Sequence, residues 1–285
     1  MEKTEVLITG ENGYIANQLS VYLKKDERFQ VSQLSLRNEE WKSADFSKYA
    51  VIVHLAGIVH QPKTSEEVYE KVNVKLTVEL AKKAKEAKVK QFIFFSTASV
   101  YGNVKEKVTL DTKENPDNFY GKSKLKAEME LQKMETNDFK VAIIRPPMVY
   151  GKGCKGNYVT LAKIAKKMPV FPKVENKRSM IYIENLCEFT KLLILNQETG
   201  TFYPQDEELV NTTEMVKMIA KENKHKIAVV KFLNIFVSFG KKMPGKIGNV
   251  CEKAFGDWYY EQNLSKYKEN YRIKTLEQAI HETEN

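Results

Sequence analysis

A chain of 285 residues, 42% hydrophobic and with a formal net charge of +9, can bury one large core or a domain with an elaboration. No run of 18 apolar residues occurs and the first residues enter a strand-like stretch, so neither a membrane span nor a signal peptide is expected. The positive charge is nearly all lysine mixed with glutamate, as in Lys82-Lys83-Ala84-Lys85-Glu86, which reads as a solvated surface and not a nucleic-acid stripe. Cys154, Cys187 and Cys251 are odd in number and far apart, and four histidines are scattered, so neither a disulfide framework nor a metal centre is expected. A cytoplasmic protein without a membrane or nucleic-acid partner follows as the expectation.

Residues 5–9 read as a short buried strand. They run into Gly10, Gly13 and Ala16 and then a helical pattern to about residue 25. Glycines at a strand-to-helix turn let the backbone approach a pyrophosphate at the helix N-terminus, and a small Ala16 lets helix pack closely on strand. A second strand, 30–36, ends near Ser35 and Arg37. An NAD site usually presents a carboxylate there to the ribose hydroxyls, but Glu39 and Glu40 come later in this chain. A serine and an arginine suit a 2′-phosphate, so NADP(H) is favoured and NAD(H) is the alternative.

A third strand, 50–56, closes on Gly57, with Asp45 and Phe46 just before it. An amphipathic helix over 65–88 carries Asn73 on its inner side. A fourth strand, 90–95, ends in Ser96, Thr97 and Ser99, hydroxyls at the carboxyl end of a strand, where open α/β sheets bind ligands. The helix predicted over 118–136 carries Tyr120 and Lys124, one turn apart on one face. An ammonium beside a phenol favours the phenolate and lowers its pKa from about 10, which suits a group that exchanges a proton with a carbinol or carbonyl oxygen. A fifth strand, 140–144, closes with Arg145, Pro146 and Gly151.

Regular alternation of strand and helix to about residue 150 implies an α/β fold, a Rossmann-type doubly wound parallel sheet. The pattern places a dinucleotide-binding domain at 1–152 and a smaller α/β lobe, packed on it, at 153–285. In that lobe helices are predicted near 157–167, 184–196, 212–223, 231–240 and 275–283, with a short strand near 180–183. Residues 240–272, rich in lysine, glycine and aromatics, have no assignment.

These residues together resemble the extended short-chain dehydrogenase/reductase family of nucleotide-sugar epimerases, dehydratases and reductases. The matching features are Thr9 to Ala16, His54 to Gly57, Asn73 and Val74, Ser96 to Gly102, Tyr120 to Lys124 and Arg145 to Gly151, in family order. Residues 178–186 look like the family's substrate-diphosphate segment. The resemblance implies that Tyr120 is the acid/base, Lys124 its electrostatic partner that also reaches the cofactor ribose, and Thr97 a hydrogen-bond partner of the reacting oxygen. It implies a cofactor site of Gly10, Gly13, Tyr14, Ile15, Ser35, Arg37, Asp45, Phe46, Leu55, Ala56, Gly57, Asn73, Ser96 and Pro146, together with Tyr120 and Lys124. Asp45 would lie near the adenine. Asn157 and Arg178 would hold the diphosphate of a nucleotide-sugar, with Thr97, Ser99 and Tyr120 at the sugar.

Met148 stands where the family often has asparagine, and the segments around Arg145 and Arg178 look more like bacterial reductases of 4-keto nucleotide-sugars. The leading expectation is therefore NADPH-dependent reduction of a UDP-linked 4-keto-6-deoxy-hexosamine for surface polysaccharide synthesis. A UDP-hexose 4-epimerase that retains NAD is the alternative. A dehydratase is disfavoured because Ala98 and Ser99, not an acidic pair, follow Thr97. A non-enzymatic dinucleotide-binding protein is disfavoured by the intact threonine, tyrosine and lysine. The family resemblance also favours a homodimer.

Overall fold

Short strands that are apolar on both faces, such as Val6-Leu7-Ile8 and Val51-Ile52-Val53, can be buried only between two layers of helices. The computed structural model describes residues 3–59, 61, 63–103 and 106–285 and shows that arrangement. In the first half the elements are β1 (Thr4–Thr9), α1 (Tyr14–Lys24), β2 (Phe29–Leu34), β3 (Val51–His54) and α2 (Glu66–Tyr69). A π-helical stretch (Glu70–Lys75) joins α2 to α3 (Leu76–Glu86). Then come β4 (Gln91–Phe95), β5 (Glu106–Val108), α4 (Phe119–Met134), β6 (Lys140–Ile144) and β7 (Met148–Tyr150). The second half holds α5 (Asn157–Lys167), β8 (Val170–Pro172), β9 (Met180–Tyr182), α6 (Ile183–Leu195) and β10 (Gly200–Phe202). It continues with α7 (Thr212–Glu222), β11 (Ala228–Val230), α8 (Asn234–Lys242), α9 (Lys246–Phe255), β12 (Trp258–Tyr260) and α10 (Leu276–Glu284).

Six parallel strands form the main sheet in the order β2-β1-β3-β4-β6-β10. In the register Val6 lies between Val31 and Val51, and Ile93 lies between Val53 and Ala142. Alternation along the strands divides the core. Val6, Ile8, Val53 and Ile93 pack with Leu19 and Leu23 of α1 and with Leu186 and Phe189 of α6. Leu7, Ile52, Phe92 and Phe94 pack with Leu80 and Ala84 of α3 and with Ala127 and Leu131 of α4. The chain runs outward from β1 to β2 and then returns to β3 on the other side of β1. The crevice above the carboxyl ends of β1 and β3 is thus the switch point of the sheet.

The predicted boundary at residue 152 does not coincide with the edge of the main sheet. Its edge strand β10 comes from beyond that point, and α6, apolar on most of its surface, covers the face that α1 leaves open. The Gln91 amide, buried in β4, donates to the carbonyls of Leu193 and Glu198 and ties this returning segment down. The main sheet and the helices that cover it therefore take in residues 183–202. The unassigned stretch 240–272 holds α9, β12 and a 3-10 turn (Gln262–Ser265), and β12 pairs with β5 of the first half. The helix predicted at 231–240 begins at Asn234, after a 3-10 turn, and ends at Lys242.

Candidate active site

At the end of β1 the chain turns at Gly10, with φ of +95°, and Asn12 is also left-handed at +67°. A Cβ at Gly10 would stand 2.9 Å from the Ala56 nitrogen and 3.0 Å from the Leu55 carbonyl carbon, so only glycine lets the two loops meet at the switch point. The Gly13 nitrogen donates to the Gly10 carbonyl at 2.9 Å, closing the turn. Gly13 caps α1 without a side-chain hydrogen bond, which leaves the first-turn amides of Tyr14 and Ile15 for an anion. These features fit a dinucleotide: a cradle that a Cβ would fill, beside an uncapped helix N-terminus. The Tyr14 side chain goes elsewhere. Its hydroxyl is buried beside Gly151, and burial raises its pKa far above the ordinary value.

The remaining cofactor candidates divide. Strand β2 ends at Leu34, earlier than predicted, opposite Thr9. Ser35 follows half-buried, whereas Arg37 is exposed. Asp45 accepts from the backbone and hydroxyl of Ser47 at 2.8 and 2.9 Å, closing its own turn on the surface. Phe46 is a core residue, 1% exposed, packed with Trp41 and Ile52. Its ring is thus part of the packing under the site and is not offered to a ligand.

Asn73 sits in the π-helical stretch, where an extra residue per turn brings its side chain across to two other elements. It accepts from the Ile58 nitrogen at 2.8 Å and donates to the Ile58 carbonyl and to Ser123, each at 3.0 Å. Ser123 in turn donates to the Tyr120 carbonyl at 2.8 Å. The loop after β3 and the first turn of α4 are thereby fixed to one another.

Helix α4 begins with an Asn118 cap that accepts from the Gly121 nitrogen at 2.9 Å. Gly121 presses on the loop after β4: a Cβ there would lie 2.5 Å from the Ser99 carbonyl oxygen. That close approach brings the buried Tyr120 hydroxyl into hydrogen bonding with Thr97. Thr97 also accepts from the Ser99 nitrogen at 3.1 Å, and the Ala98 nitrogen donates to the Pro146 carbonyl at 3.1 Å. Lys124, buried one turn along, donates to the Phe95 carbonyl at 2.8 Å and lies 4.4 Å from the centroid of the Phe94 ring. The position of a Gly57 Cβ is 3.5 Å from its ammonium. Thr97, Tyr120, Lys124, Asn73 and Gly57 thus lie together at the carboxyl ends of β3 and β4.

The electrostatics differ from the expectation of a depressed phenol. Burial pushes Tyr120 up to about 12, against the opposing effect of the Thr97 hydrogen bond. Burial lowers Lys124 to about 8, with Glu128 opposing. At neutral pH the pair is therefore a neutral phenol and an ammonium, ready to donate a proton. A cleft of about 360 Å³, lined by Gln61, Thr64, Tyr69, Phe119 and Tyr120, opens beside the phenol.

Beneath these groups lies a network that motif reading did not assign. Glu128, four residues after Lys124 and 1% exposed, accepts from Ser96 and from Arg145, whose Nη2 lies 2.6 Å away. Arg145, itself 4% exposed, also donates Nη1 to the Tyr101 hydroxyl at 2.6 Å and to Glu114 at 2.7 Å. The signal was available: a carboxylate on the inner face of α4 and a scarce arginine at a strand end, each needing a buried partner. His54 is likewise internal. It bridges Thr9 at 2.7 Å and Thr77 at 2.9 Å, and burial drops its pKa to about 3, so it is neutral packing and not a proton carrier.

The substrate candidates of the second half lie apart from this cluster in sequence and on different elements. Asn157 is exposed at the first turn of α5, behind Gly156 with φ of +96°. Arg178 is half-buried at an isolated bridge to Val210 and Trp258, and its Nη1 donates to the Gly256 carbonyl at 3.0 Å. Ser99 lies half-buried in the 3-10 turn (Ala98–Tyr101) beside Tyr120. Among the described residues no group of three His, Cys, Asp or Glu side chains could hold a metal ion.

Residues 6–203 match the model of the NAD dependent epimerase/dehydratase family. The chain is 31% identical over 244 residues to a UDP-glucose 4-epimerase of Vibrio cholerae, covering 75% of this chain and 74% of the relative. It is 25% identical over 242 residues to the N-acetyl-alpha-D-glucosaminyl-diphospho-ditrans,octacis-undecaprenol 4-epimerase of Escherichia coli O157:H7, covering 78% and 73%. The fold is similar to that of UDP-glucuronic acid 4-epimerase from Bacillus cereus solved with NAD, with a TM-score of 0.75 at 18% identity over 98% and 97% of the two chains.

Proposed function

Because this chain belongs to the NAD dependent epimerase/dehydratase family, we propose that it is a 4-epimerase of a hexose carried on a diphosphate, such as UDP-glucose or UDP-N-acetylglucosamine. The observation that carries the reading is the hydrogen-bonded Thr97 and Tyr120 pair with the Lys124 ammonium one turn away, beside the dinucleotide crevice. The nicotinamide, when bound, supplies the hydride acceptor and donor. The protein's own groups handle the proton. Tyr120 exchanges it with the C4 oxygen, Thr97 hydrogen-bonds the same oxygen, and the Lys124 cation stabilises negative charge on the phenol while reaching the ribose. Gly10, Gly13, Tyr14 and Ile15 would offer backbone to the pyrophosphate, with Leu55, Ala56 and Gly57 on the facing loop and Asn73 of the π-helical stretch holding that loop. Arg178 and Asn157 are the candidates for the substrate diphosphate, which a guanidinium can grip at two oxygens.

One observation favours a second reading, an NADPH-dependent 4-ketoreductase of a UDP-4-keto-6-deoxy-hexosamine. No carboxylate follows β2 directly: Ser35 and Arg37 stand there, and Glu39 is engaged with Lys42. The exposed Arg37, three residues past the strand end, gives this reading less support than the predicted strand end did. The cofactor separates the two. Denaturing the purified protein should release NAD(H), and in titrations of emptied protein NADH should bind at least as tightly as NADPH. A preference of about tenfold or more for NADPH, erased by Arg37→Ala, would favour the reductase instead.

A further inference from the structure

The second half of the molecule carries a surface that the site does not use. Phe232, Ile235, Phe236 and Phe239 are 63%, 69%, 63% and 67% exposed. Their spacing of three, four and seven residues sets them on one stripe of α8 and the turn before it. Other sides of α8 are spoken for: a Cβ at the buried Gly240 would stand 2.7 Å from Cys251 Sγ of α9, and Lys241, across the helix from the stripe, donates to the Phe255 carbonyl, so α9 packs there and the aromatic stripe is left exposed. Met168 and Val170, 46% and 39% exposed, continue the apolar surface beside β11, with which β8 pairs.

Charge singles out the occupant. Between Asn223 and Cys251 there is no aspartate or glutamate, while Lys224, Lys226, Lys231, Lys241, Lys242 and Lys246 fall in that span. Lys224, Lys226, Lys231 and Lys242 are exposed, and Lys241 is engaged by the Phe255 carbonyl and Glu252. An outward row of phenylalanines flanked by exposed lysines is the pattern of a helix that lies in the headgroup layer of an anionic bilayer. An apolar patch meant for a second copy of the same chain would instead bring these lysines against one another.

We propose that α8 and its preceding turn form an interfacial docking surface for anionic phospholipid. The phenylalanine stripe enters the acyl boundary and the lysines meet the headgroups. Among the described residues no helix is long and apolar enough to cross a membrane, so the contact is peripheral. It revises the sequence-based expectation of no membrane partner. The surface belongs to the substrate half, since α9 beneath it ends beside Gly256, whose carbonyl holds Arg178. The proposal stands whichever sugar or carrier the site accepts.

The test is co-sedimentation of the full chain with vesicles of phosphatidylcholine alone or with about 30% phosphatidylglycerol. The protein should sediment with the anionic vesicles at low salt, far less with the neutral ones, and release as salt rises. Phe236→Ser with Phe239→Ser should lower the partition coefficient about tenfold or more, with an unchanged circular dichroism spectrum. Lys231→Gln with Lys242→Gln, which leaves the apolar stripe intact, should weaken binding to the anionic vesicles only. No sedimentation with anionic vesicles, or binding of both double variants equal to that of the unaltered chain, would overturn the proposal. So would light scattering that shows a dimer dispersed by the phenylalanine variant together with unchanged vesicle binding, which would assign the stripe to a second copy.

Discussion

Replacing Tyr120 by phenylalanine should lower kcat by about 10² to 10⁴ while leaving cofactor binding nearly unchanged, because only the exchangeable oxygen is lost. The ring would still fill its buried place and the helix would keep its Asn118 cap and its contact at Gly121. What disappears is the hydroxyl that Thr97 already holds. Thr97 cannot substitute for it, since an aliphatic hydroxyl without a cationic partner is a poor acid at neutral pH. Turnover and cofactor titration on the same preparation check both halves of the expectation. A phenylalanine variant with near-normal kcat would move the proton transfer to another group.

The second large effect concerns stability. Arg145→Met should destabilise the protein by about 3–5 kcal/mol, because it leaves the Glu128 carboxylate buried without its cation. Glu128 is 1% exposed and takes three of its hydrogen bonds from the guanidinium. Adding Glu128→Gln to Arg145→Met should recover a large part of the loss, since the charge itself is then removed. Urea unfolding of the three variants measures this. A loss below about 1 kcal/mol for the single variant would mean that Ser96 and water satisfy the carboxylate unaided. Ser96 adjoins Thr97 and Glu128 lies one turn from Lys124, so the arginine is tied through Glu128 to the segments that carry both side chains.

Most of the first domain was legible because its signals are local and redundant. The strand β1, the glycine turn and α1 agree in apolar pattern, turn chemistry and helix start, and the structure keeps them where the spacing put them. Tyr120 and Lys124 were legible as a pair because a four-residue step on a helix needs no tertiary information. The end of β2 was not: it depends on how far β1 offers hydrogen bonds, and the ladder stops at Leu34 opposite Thr9. The direction of the Phe46 ring was not legible either, because proximity to a motif says nothing about which way a ring points, and this apolar ring lies in the core. The return of α6 and β10 to the sheet was hidden for a related reason. Three-residue β10 has too little sequence to show its pairing, which β6 supplies from 58 positions away at Thr201 and Ile143. The π-helical stretch at Asn73 left no trace in periodicity, because one widened turn hardly disturbs a helical apolar stripe.

On the proposed reading, the site reverses the configuration at C4 of a diphosphate-linked hexose with a nicotinamide it keeps. The most direct measurement is chromatography of UDP-hexoses after incubation with the purified protein and no added cofactor. UDP-glucose and UDP-galactose, or their N-acetylated counterparts, should converge on the same mixture from either side, and Tyr120→Phe should leave both unchanged. Unaltered UDP-hexoses, together with consumption of added NADPH by a UDP-4-keto sugar, would contradict the epimerase and leave the reductase.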